Sequence, residues 1–316
     1  VDDRLRRHGA PDPGLVLLAE HGPGDTAEVV GIAICRAGTE VAAARPSDRT
    51  RSTTMAMWQV WLVGLGTVSA MMVVTWVASL IRKDASIVDR VWGLAFVVAA
   101  WTYAFFADPP TTRTWLTLAL VTIWGLRLSG YITWRNWGDG EDKRYQAMRR
   151  RNPDTFAVRS LVTVFLLQAV LAWFISLPLL AATLSGSPEG LLWLDYVAVA
   201  VWLVGFTFEA GGDWQLSRFL ADASNRGKVM DQGFWRFTRH PNYFGDTVVW
   251  WSFFLLALAT GAWWAALGSL AMTFFIIKVS GVALTEKNMS KGGSTREGYE
   301  EYVRRTNAFI PGPRKP

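Results

Sequence analysis

The sequence is poor in the residues that build disulfides and transition-metal sites. Its 316 residues include one cysteine, Cys35, and three histidines. A single cysteine excludes an internal disulfide and a thiol-rich metal site. His8 and His21 lie in a polar N-terminal stretch, far along the chain from His240. We therefore predict no metal site.

Charged residues are also scarce, at 18% against roughly 25% in a soluble domain. Hydrophobic residues make up 51% and fall in blocks, several of them near the roughly 20 residues needed to cross a bilayer. The composition predicts an all-α, polytopic membrane helix bundle surrounded by membrane lipids. The formal charge of +6 lies mainly in the loops between blocks, which indicates membrane orientation rather than a nucleic-acid partner. Nothing in the sequence indicates a protein partner.

Seven apolar segments make up the predicted membrane domain, which covers residues 55–316. The sixth and seventh segments are separated only by Thr260 and Gly261, so a tight hairpin must join them. The predicted segments are 57–81, 86–107, 114–134, 159–184, 191–210, 245–260 and 262–284.

The basic residues predict how these segments are oriented. The connections 135–158 and 211–244 and the C-terminal tail are rich in arginine and lysine, whereas the loop 185–190 has neither. Basic loops stay on the cytoplasmic side of a membrane. We therefore expect seven spans, with the N-terminus outside and the C-terminus in the cytoplasm.

Residues 1–54 differ from the rest because they lack an apolar run of membrane length and a signal-peptide pattern. Met55 and Met57 stand directly before the first segment. Two interpretations remain open, a spurious extension of the reading frame that ends near Met55 and a flexible tail. The basic residues at 45–51 would lie outside the membrane, against the charge rule, and this favours the first.

The stretch TRHPNYFGD, residues 238–246, concentrates polar groups at the start of the sixth segment. Pro241 suits the first turn of a helix, where its missing N–H costs nothing. The free N–H groups of that turn, together with Arg239, could bind an anion such as phosphate. The alternative is a capped helix with an arginine that reaches the membrane surface.

A second polar stretch precedes it. Glu209 and Asp213 are spaced to share one helix face after an apolar run, and Arg218 follows one turn later. The connection from Asn225 to Arg239 then carries several basic and aromatic residues. Together these stretches suggest a cytoplasmic groove for a large polyanionic ligand.

A third polar set lies nearer the N-terminus. Asp89 stands at the start of the second segment, and Arg127 and Tyr131 are four residues apart in the third. Charges within membrane segments are costly and are candidates for function. The alternative is an Asp89–Arg127 ion pair that only ties two helices together.

These motifs together resemble the bacterial DUF1295 family, which we group with the steroid 5-alpha reductase C-terminal-like superfamily. The motifs that carry the resemblance lie between about residues 84 and 312 and read DRVWG, WGLRLSGY, GEDKRY, DWQLSRF, GFWRFTRHPNYFGD, SGVALTEKN, YEEY and FIP. The RHPNYFG turn alone is less specific, because isoprenylcysteine carboxyl methyltransferases and sterol reductases carry similar turns.

The resemblance implies a membrane enzyme that uses NADPH to reduce the double bond of a lipophilic enone taken from the bilayer. It further implies a multi-pass protein of the bacterial inner membrane. Asp246 stands where the steroid reductases have glutamate. The cofactor contacts implied are Asp213, Arg218, Asn225, Arg239, His240, Asn242, Tyr243, Asp246 and Glu286.

The catalytic residues implied are Asp89, Tyr131 and Arg127. Asp89 could stand for a glutamate that holds the substrate carbonyl, and Trp124 occupies the position of a tyrosine in the third span. A buried, protonated carboxyl can donate a hydrogen bond to a developing oxyanion. If Arg127 pairs with Asp89, the carboxyl loses its proton more easily and the donor role passes to Tyr131.

Two other functions remain open. A membrane methyltransferase using S-adenosylmethionine could share the RHPNYFG turn, but its cofactor has no phosphate and would leave the basic residues of 218–239 without a ligand. A non-catalytic lipid-binding or transport protein would account for the apolar segments, but not for the cytoplasmic polar residues.

Overall fold

The computed structural model describes residues 55–291 and 297–316, which are helical and form no strand within those ranges. One isolated parallel bridge joins Lys228 to Glu297. The predictions made for residues 1–54 lie outside the described part of the chain. The all-α prediction is confirmed for the part described.

The first part of the bundle runs to Leu184. A π-helical turn, Leu161–Leu166, joins the sixth helix to the seventh. Helices α1 to α8 are Met57–Arg82, Ile87–Arg90, Trp92–Phe105, Thr112–Arg135, Lys143–Arg151, Phe156–Ser160, Leu167–Ile175 and Leu177–Leu184.

The second part begins at Trp193. Short 3₁₀ turns lie at Ala223–Asn225, Gly233–Arg236 and Trp263–Ala265, and a π-helical turn at Phe275–Ser280. Helices α9 to α13 are Trp193–Ala221, Pro241–Leu258, Ala266–Phe274, Val282–Lys291 and Tyr299–Arg305.

Five helical segments of the described chain are long and apolar enough to cross a membrane, which indicates a multi-pass membrane protein. They are Met57–Arg82, Thr112–Arg135, Phe156–Ile175, Trp193–Ala221 and Trp263–Lys287. The second predicted segment is divided at Val91, which leaves α3 with 14 residues. The sixth corresponds to α10, whose first two turns include Pro241, Asn242 and Asp246. The count of seven stays a prediction.

Helix boundaries differ from the prediction mainly where polar residues continue a helix. The fifth segment was expected to end at residue 210, yet α9 continues to Ala221. Its last turns keep helix-forming residues such as Gln215 and Leu216, and polarity alone does not stop a helix. Pro241 lies in the first turn of α10, as predicted.

Glycines allow α9 and α10 to pack backbone to backbone. A Cβ atom at Gly205 would lie 2.7 Å from the Val249 nitrogen and 2.8 Å from the Gly245 carbonyl oxygen. A Cβ at Gly245 would collide with the backbone nitrogen of Glu209. Small residues permit such close helix contacts in membranes. This contact brings the polar residues of the two helices together.

A fully buried ion pair stabilises the opposite end of the bundle. Arg113, at the start of α4, donates to both carboxylate oxygens of Asp195 in α9 at 2.7 and 2.8 Å. Arg113 also donates to the carbonyls of Pro188 and Gly190. Because its donors bond to the chain itself, we interpret this pair as a structural support for the loop before α9.

Candidate active site

A buried polar cluster lies where α4, α9 and α10 meet. Arg127 of α4 donates to Glu209 Oε1 at 2.7 Å and to Asp213 Oδ2 at 2.6 Å. Glu209 and Asp213 are buried and lie one turn apart on α9. The predicted common face of these two acids is thereby confirmed.

Trp124 also contacts Glu209. Its indole nitrogen donates a hydrogen bond to Glu209 Oε2 at 2.9 Å. The indole lies in an edge-to-face group with Phe96 and Trp250. These rings pack against the acidic cluster on its apolar side. Water is therefore excluded from Glu209, and the ion pair with Arg127 is strengthened by the low local dielectric.

The first turns of α10 add an amide and a third carboxyl. Asn242 donates from Nδ2 to Asp213 Oδ1 at 3.0 Å. Asp246 lies one turn further along α10, and its buried Oδ1 has no hydrogen-bond partner. A buried polar atom without a partner costs free energy, so Asp246 is a position where a bound molecule could donate a hydrogen bond.

The cluster contains more acid than base. Arg127 contributes one positive charge, whereas Glu209, Asp213 and Asp246 contribute three carboxyl groups. One guanidinium cannot balance three ionised carboxylates in a buried site. The arrangement therefore favours a bound proton, or a ligand that brings hydrogen-bond donors or positive charge.

Tyr131 lies at the edge of this cluster. Its hydroxyl lies 3.0 Å from Ser217 Oγ and donates to the Asp213 carbonyl oxygen at 3.3 Å. The Arg127 guanidinium lies 5.2 Å from the centre of the Tyr131 ring. The shared face predicted for Arg127 and Tyr131 is confirmed.

The suggested Asp89–Arg127 ion pair is wrong. Asp89 lies in α2 and accepts hydrogen bonds from Tyr145 Oη and from Arg144, both at 2.9 Å. Arg127 is instead held by the two acids of α9. Burial raises the pKa of the Asp89 carboxyl, although the Arg144 charge and the Tyr145 hydroxyl oppose the shift.

The GEDKRY motif anchors this second polar group. Glu141 accepts from Arg149 at 2.7 Å and from the Ala85 backbone nitrogen at 2.9 Å. Burial opposes ionisation of Glu141, but these donors and the Arg149 charge outweigh it and lower its pKa. The motif thus fixes the segment around Asp89 to the loop after α4.

Arg239 and Glu286 form a third polar group, which holds the C-terminal segment. Arg239 donates to Glu286 Oε1 through Nε at 2.9 Å and through a terminal nitrogen at 2.6 Å. Its other terminal nitrogen donates to the carbonyls of Val303 and Thr306 at 3.0 and 2.6 Å. The guanidinium is therefore largely occupied by the chain itself.

His240 adjoins this group and packs on Tyr243. Its Nε2 lies 3.3 Å from Glu286 Oε1, and the His240 and Tyr243 rings stack with centroids 5.6 Å apart. Burial lowers the pKa of His240, although the Glu286 charge opposes the shift. The imidazole is thus favoured in its neutral form.

The remaining predicted residues make local contacts. The Arg218 guanidinium lies 5.3 Å from the centre of the Trp214 ring, and Asn225 donates to the Phe219 carbonyl at 3.1 Å. The structure thus brings Asp213, Asn242 and Asp246 into one cluster and Arg239, His240 and Glu286 into another. Their roles in cofactor binding stay predictions.

A polar cavity of about 320 Å³ lies between the 228–231 loop and the C-terminal helix α13. Its charged lining is balanced and comprises Lys228, Arg305 and Arg314 together with Asp231, Glu297 and Glu301. The buried Thr306 also lines it, and its Oγ1 has no hydrogen-bond partner.

The cavity is connected to the buried cluster by hydrogen bonds. Tyr302, which also lines the cavity, donates to the Trp235 carbonyl at 2.8 Å. The Trp235 indole donates in turn to the Gly212 carbonyl at 3.0 Å, next to Asp213.

Residues 75–306 match the profile of the family described as "Protein of unknown function (DUF1295)". The chain belongs to the DUF1295 family. It is also similar to "Uncharacterized protein C594.04c" of Schizosaccharomyces pombe, with 25% identity over 207 residues. That match covers 58% of this chain and 60% of the relative, so the chain spans less than two thirds of the relative's length. No solved structure matches the chain.

The structure gives Glu209 a central position, whereas the sequence analysis noted it only as part of a polar helix face. Glu209 contacts both Arg127 and Trp124 at the centre of the cluster, although Asp213 and Arg218 were the α9 residues assigned to the site. The available signal was an acidic residue within an apolar run, which is costly unless it is paired. No group of three or more histidine, cysteine or acidic side chains suited to a metal ion occurs in residues 55–291 and 297–316.

Proposed function

We propose that this DUF1295 protein is a membrane-embedded, NADPH-dependent reductase of a lipophilic enone. One observation carries the proposal: an acidic buried cluster and a more open cavity, which three basic and three acidic residues line, lie on either side of Trp235. A dinucleotide has two chemically different ends, an uncharged or cationic nicotinamide and a phosphate-bearing adenosine. A pair of unlike polar sites joined by one loop suits such a ligand.

The unpartnered atoms of both sites match these two ends. At the buried cluster, Asp246 Oδ1 lacks a donor, and a carboxamide N–H or a ribose hydroxyl would provide one. At the cavity, Lys228 offers positive charge and Thr306 Oγ1 an unused hydroxyl, whereas Arg305 and Arg314 are paired with Glu301 and Asp231. Charge-assisted hydrogen bonds to phosphate are among the stronger ones in proteins.

The protein groups then have distinct tasks. Bound NADPH would supply a hydride. Arg127 fixes Glu209 and Asp213, and Asp213 with Asn242 orients the polar end of the ligand. Stabilising the charge on a substrate oxygen requires a hydrogen-bond donor. We assign that role to Tyr131, because Asp89 is ion-paired with Arg144 and accepts a hydrogen bond from Tyr145.

The topology and location follow as further parts of the proposal. Helices α3 and α10 would complete seven spans, with the C-terminus in the cytoplasm and the enone entering from the bilayer. The bacterial inner membrane remains the proposed location, and the S. pombe relative indicates that such chains are not confined to bacteria. Membership of the steroid 5-alpha reductase-like superfamily is part of the same proposal.

A methyltransferase using S-adenosylmethionine is the alternative, and one specific observation favours it. Three carboxyl groups beside one guanidinium attract positive charge, and this cofactor carries a sulfonium and an ammonium group. The alternative gives no role to Lys228 and the cavity that it lines, since S-adenosylmethionine has no phosphate. We therefore rank it second.

Ligand-dependent stability of the purified protein distinguishes the two. We expect NADPH to raise the melting temperature, because a ligand at about 100 times its Kd stabilises a protein by roughly 2.7 kcal/mol. Asp213→Asn should reduce this shift, whereas Asp154→Asn, in the exposed loop before α6, should leave it unchanged. Stabilisation by S-adenosylmethionine and not by NADPH would show that the reductase proposal is wrong.

A further inference from the structure

A groove between α3 and α4 carries features that the buried cluster does not use. It encloses about 540 Å³, within the roughly 300–1,000 Å³ typical of ligand sites. Its walls are mostly apolar and include Val91, Leu94, Leu126, Trp134 and Trp137. Trp134 and Trp137 are exposed, as tryptophans at a membrane–water interface are. One end of the groove therefore lies at the interface and the other faces the apolar region.

Arg90 lines the interfacial end and is incompletely bonded. Its terminal nitrogen reaches Asp84 Oδ2 and the Asn136 carbonyl only at 3.4 Å each. These distances exceed the usual 2.7–3.2 Å for an N–H donor. Its buried Nε has no hydrogen-bond partner. Arg90 is thus only weakly paired with Asp84, and its partly exposed guanidinium can still attract an anion.

Ser129 provides a second unused polar group. Its side chain lines the groove and is 6% exposed, and its buried Oγ has no hydrogen-bond partner. Buried hydroxyls are normally satisfied. An apolar groove with an unsatisfied hydroxyl and a weakly paired cation in its lining suits an amphiphile with an anionic head.

We propose that this groove binds an anionic phospholipid, with its phosphate at Arg90 and one acyl chain along Leu94 and Leu126. Basic pockets between helices at a membrane surface recognise acidic headgroups in this way. The proposal does not depend on the reaction that the buried cluster performs.

Filling the groove tests the acyl-chain part. A Cβ atom at Gly130, which lines the groove, would meet no atom within 4 Å, and the same holds for Gly66 in α1. Gly130→Leu should therefore fold and occupy the acyl-chain space, whereas Gly66→Leu adds the same side chain elsewhere. Titration with phosphatidylglycerol by native mass spectrometry should show at least a tenfold loss of affinity for Gly130→Leu alone. Wild-type affinity in Gly130→Leu would overturn the proposal.

Neutralising Arg90 tests the headgroup part. Arg90→Gln should weaken phosphatidylglycerol binding about tenfold, the loss expected for one charge-assisted hydrogen bond. Arg82→Gln removes an exposed charge at the end of α1 and should have no effect. Wild-type protein should prefer phosphatidylglycerol to phosphatidylcholine, and inorganic phosphate should not displace the lipid. Equal binding of the two lipids, or displacement by phosphate, would overturn it. If Arg90→Gln does not fold, Gly130→Leu still decides, because it leaves the Arg90 contacts intact.

Discussion

At the scale of single residues, the sequence and the structure indicate different roles for Arg239. The sequence motif predicts a phosphate contact, whereas the structure directs most of its donors to Glu286 and to the carbonyls of Val303 and Thr306. Thr306 lines the cavity beside α13. Arg239 therefore supports that cavity through the backbone of the C-terminal segment, even where it contacts no ligand itself.

Replacing Arg239 should loosen the C-terminal segment. Arg239→Ala leaves Glu286 and two carbonyls without their donor, and a hydrogen bond to a charged group contributes about 1.5–3 kcal/mol. We expect a lower melting temperature and faster proteolysis within residues 297–316. Arg218→Ala is the control, because Arg218 is exposed and contacts the Trp214 ring. Equal proteolysis of the two variants would contradict the assignment.

The Asp246 carboxyl should lower the stability of the ligand-free protein and strengthen ligand binding. Asp246→Asn removes one of three carboxyl groups beside Arg127, so we expect the ligand-free protein to gain on the order of 1 kcal/mol. The same change should weaken stabilisation by NADPH, because an amide oxygen is a weaker acceptor than a carboxylate oxygen and the amide nitrogen cannot accept. Thermal unfolding with and without NADPH measures both effects. A loss of stability without ligand would show that Asp246 is satisfied in the free protein.

At the scale of helices, the contact between α9 and α10 decides where the acidic cluster forms. Gly205 and Gly245 let the backbones touch, and that contact brings Asn242 and Asp246 beside Asp213. The geometry of the polar cluster therefore depends on residues that carry no chemistry of their own.

Gly245→Ala should separate the two helices. Its Cβ would collide with the Glu209 nitrogen and lie 2.5 Å from the Gly205 carbonyl oxygen, and overpacking of this kind costs about 1–3 kcal/mol. Gly66→Ala, where the added atom meets nothing, should be neutral or slightly stabilising. Thermal unfolding of the two variants gives the comparison. Similar melting temperatures would show that α9 and α10 can adjust without loss.

Periodicity and motif spacing predict single helices well but not the pairing between them. The faces of Glu209 with Asp213 and of Arg127 with Tyr131 follow from four-residue spacing and are confirmed. Which acid Arg127 contacts depends on how α4 crosses α9, and no local pattern contains that information. The Arg113–Asp195 pair was missed for the same reason, since its members lie 82 residues apart.

At the scale of the whole described chain, the hydrogen bonds between connecting segments fall into two groups. Lys228 bridges to Glu297, the Arg239 backbone nitrogen donates to the Asn307 carbonyl, and Arg314 bonds to Asp231. The connection before α10 and the C-terminal segment must therefore lie on the same side of a membrane. The loop after α4 contacts the start of α2 through Glu141 and Ala85, so these two also share a side.

Reporter fusions should place these groups on the cytoplasmic side. The connection before α10 and the C-terminal segment are rich in arginine and lysine, and basic loops are retained in the cytoplasm. The loop 185–190 has no basic residue and packs on the Arg113 pair at the other end of the bundle. A fluorescent protein fused after Pro316 should fold and emit, whereas a phosphatase that is active only outside should work when fused at Gly186. A second phosphatase fusion at Asp108, between α3 and α4, tests whether α3 crosses despite its 14 residues. Activity at Asp108 and Gly186 together with C-terminal fluorescence supports seven spans, and an inactive Asp108 fusion would show that α3 does not cross.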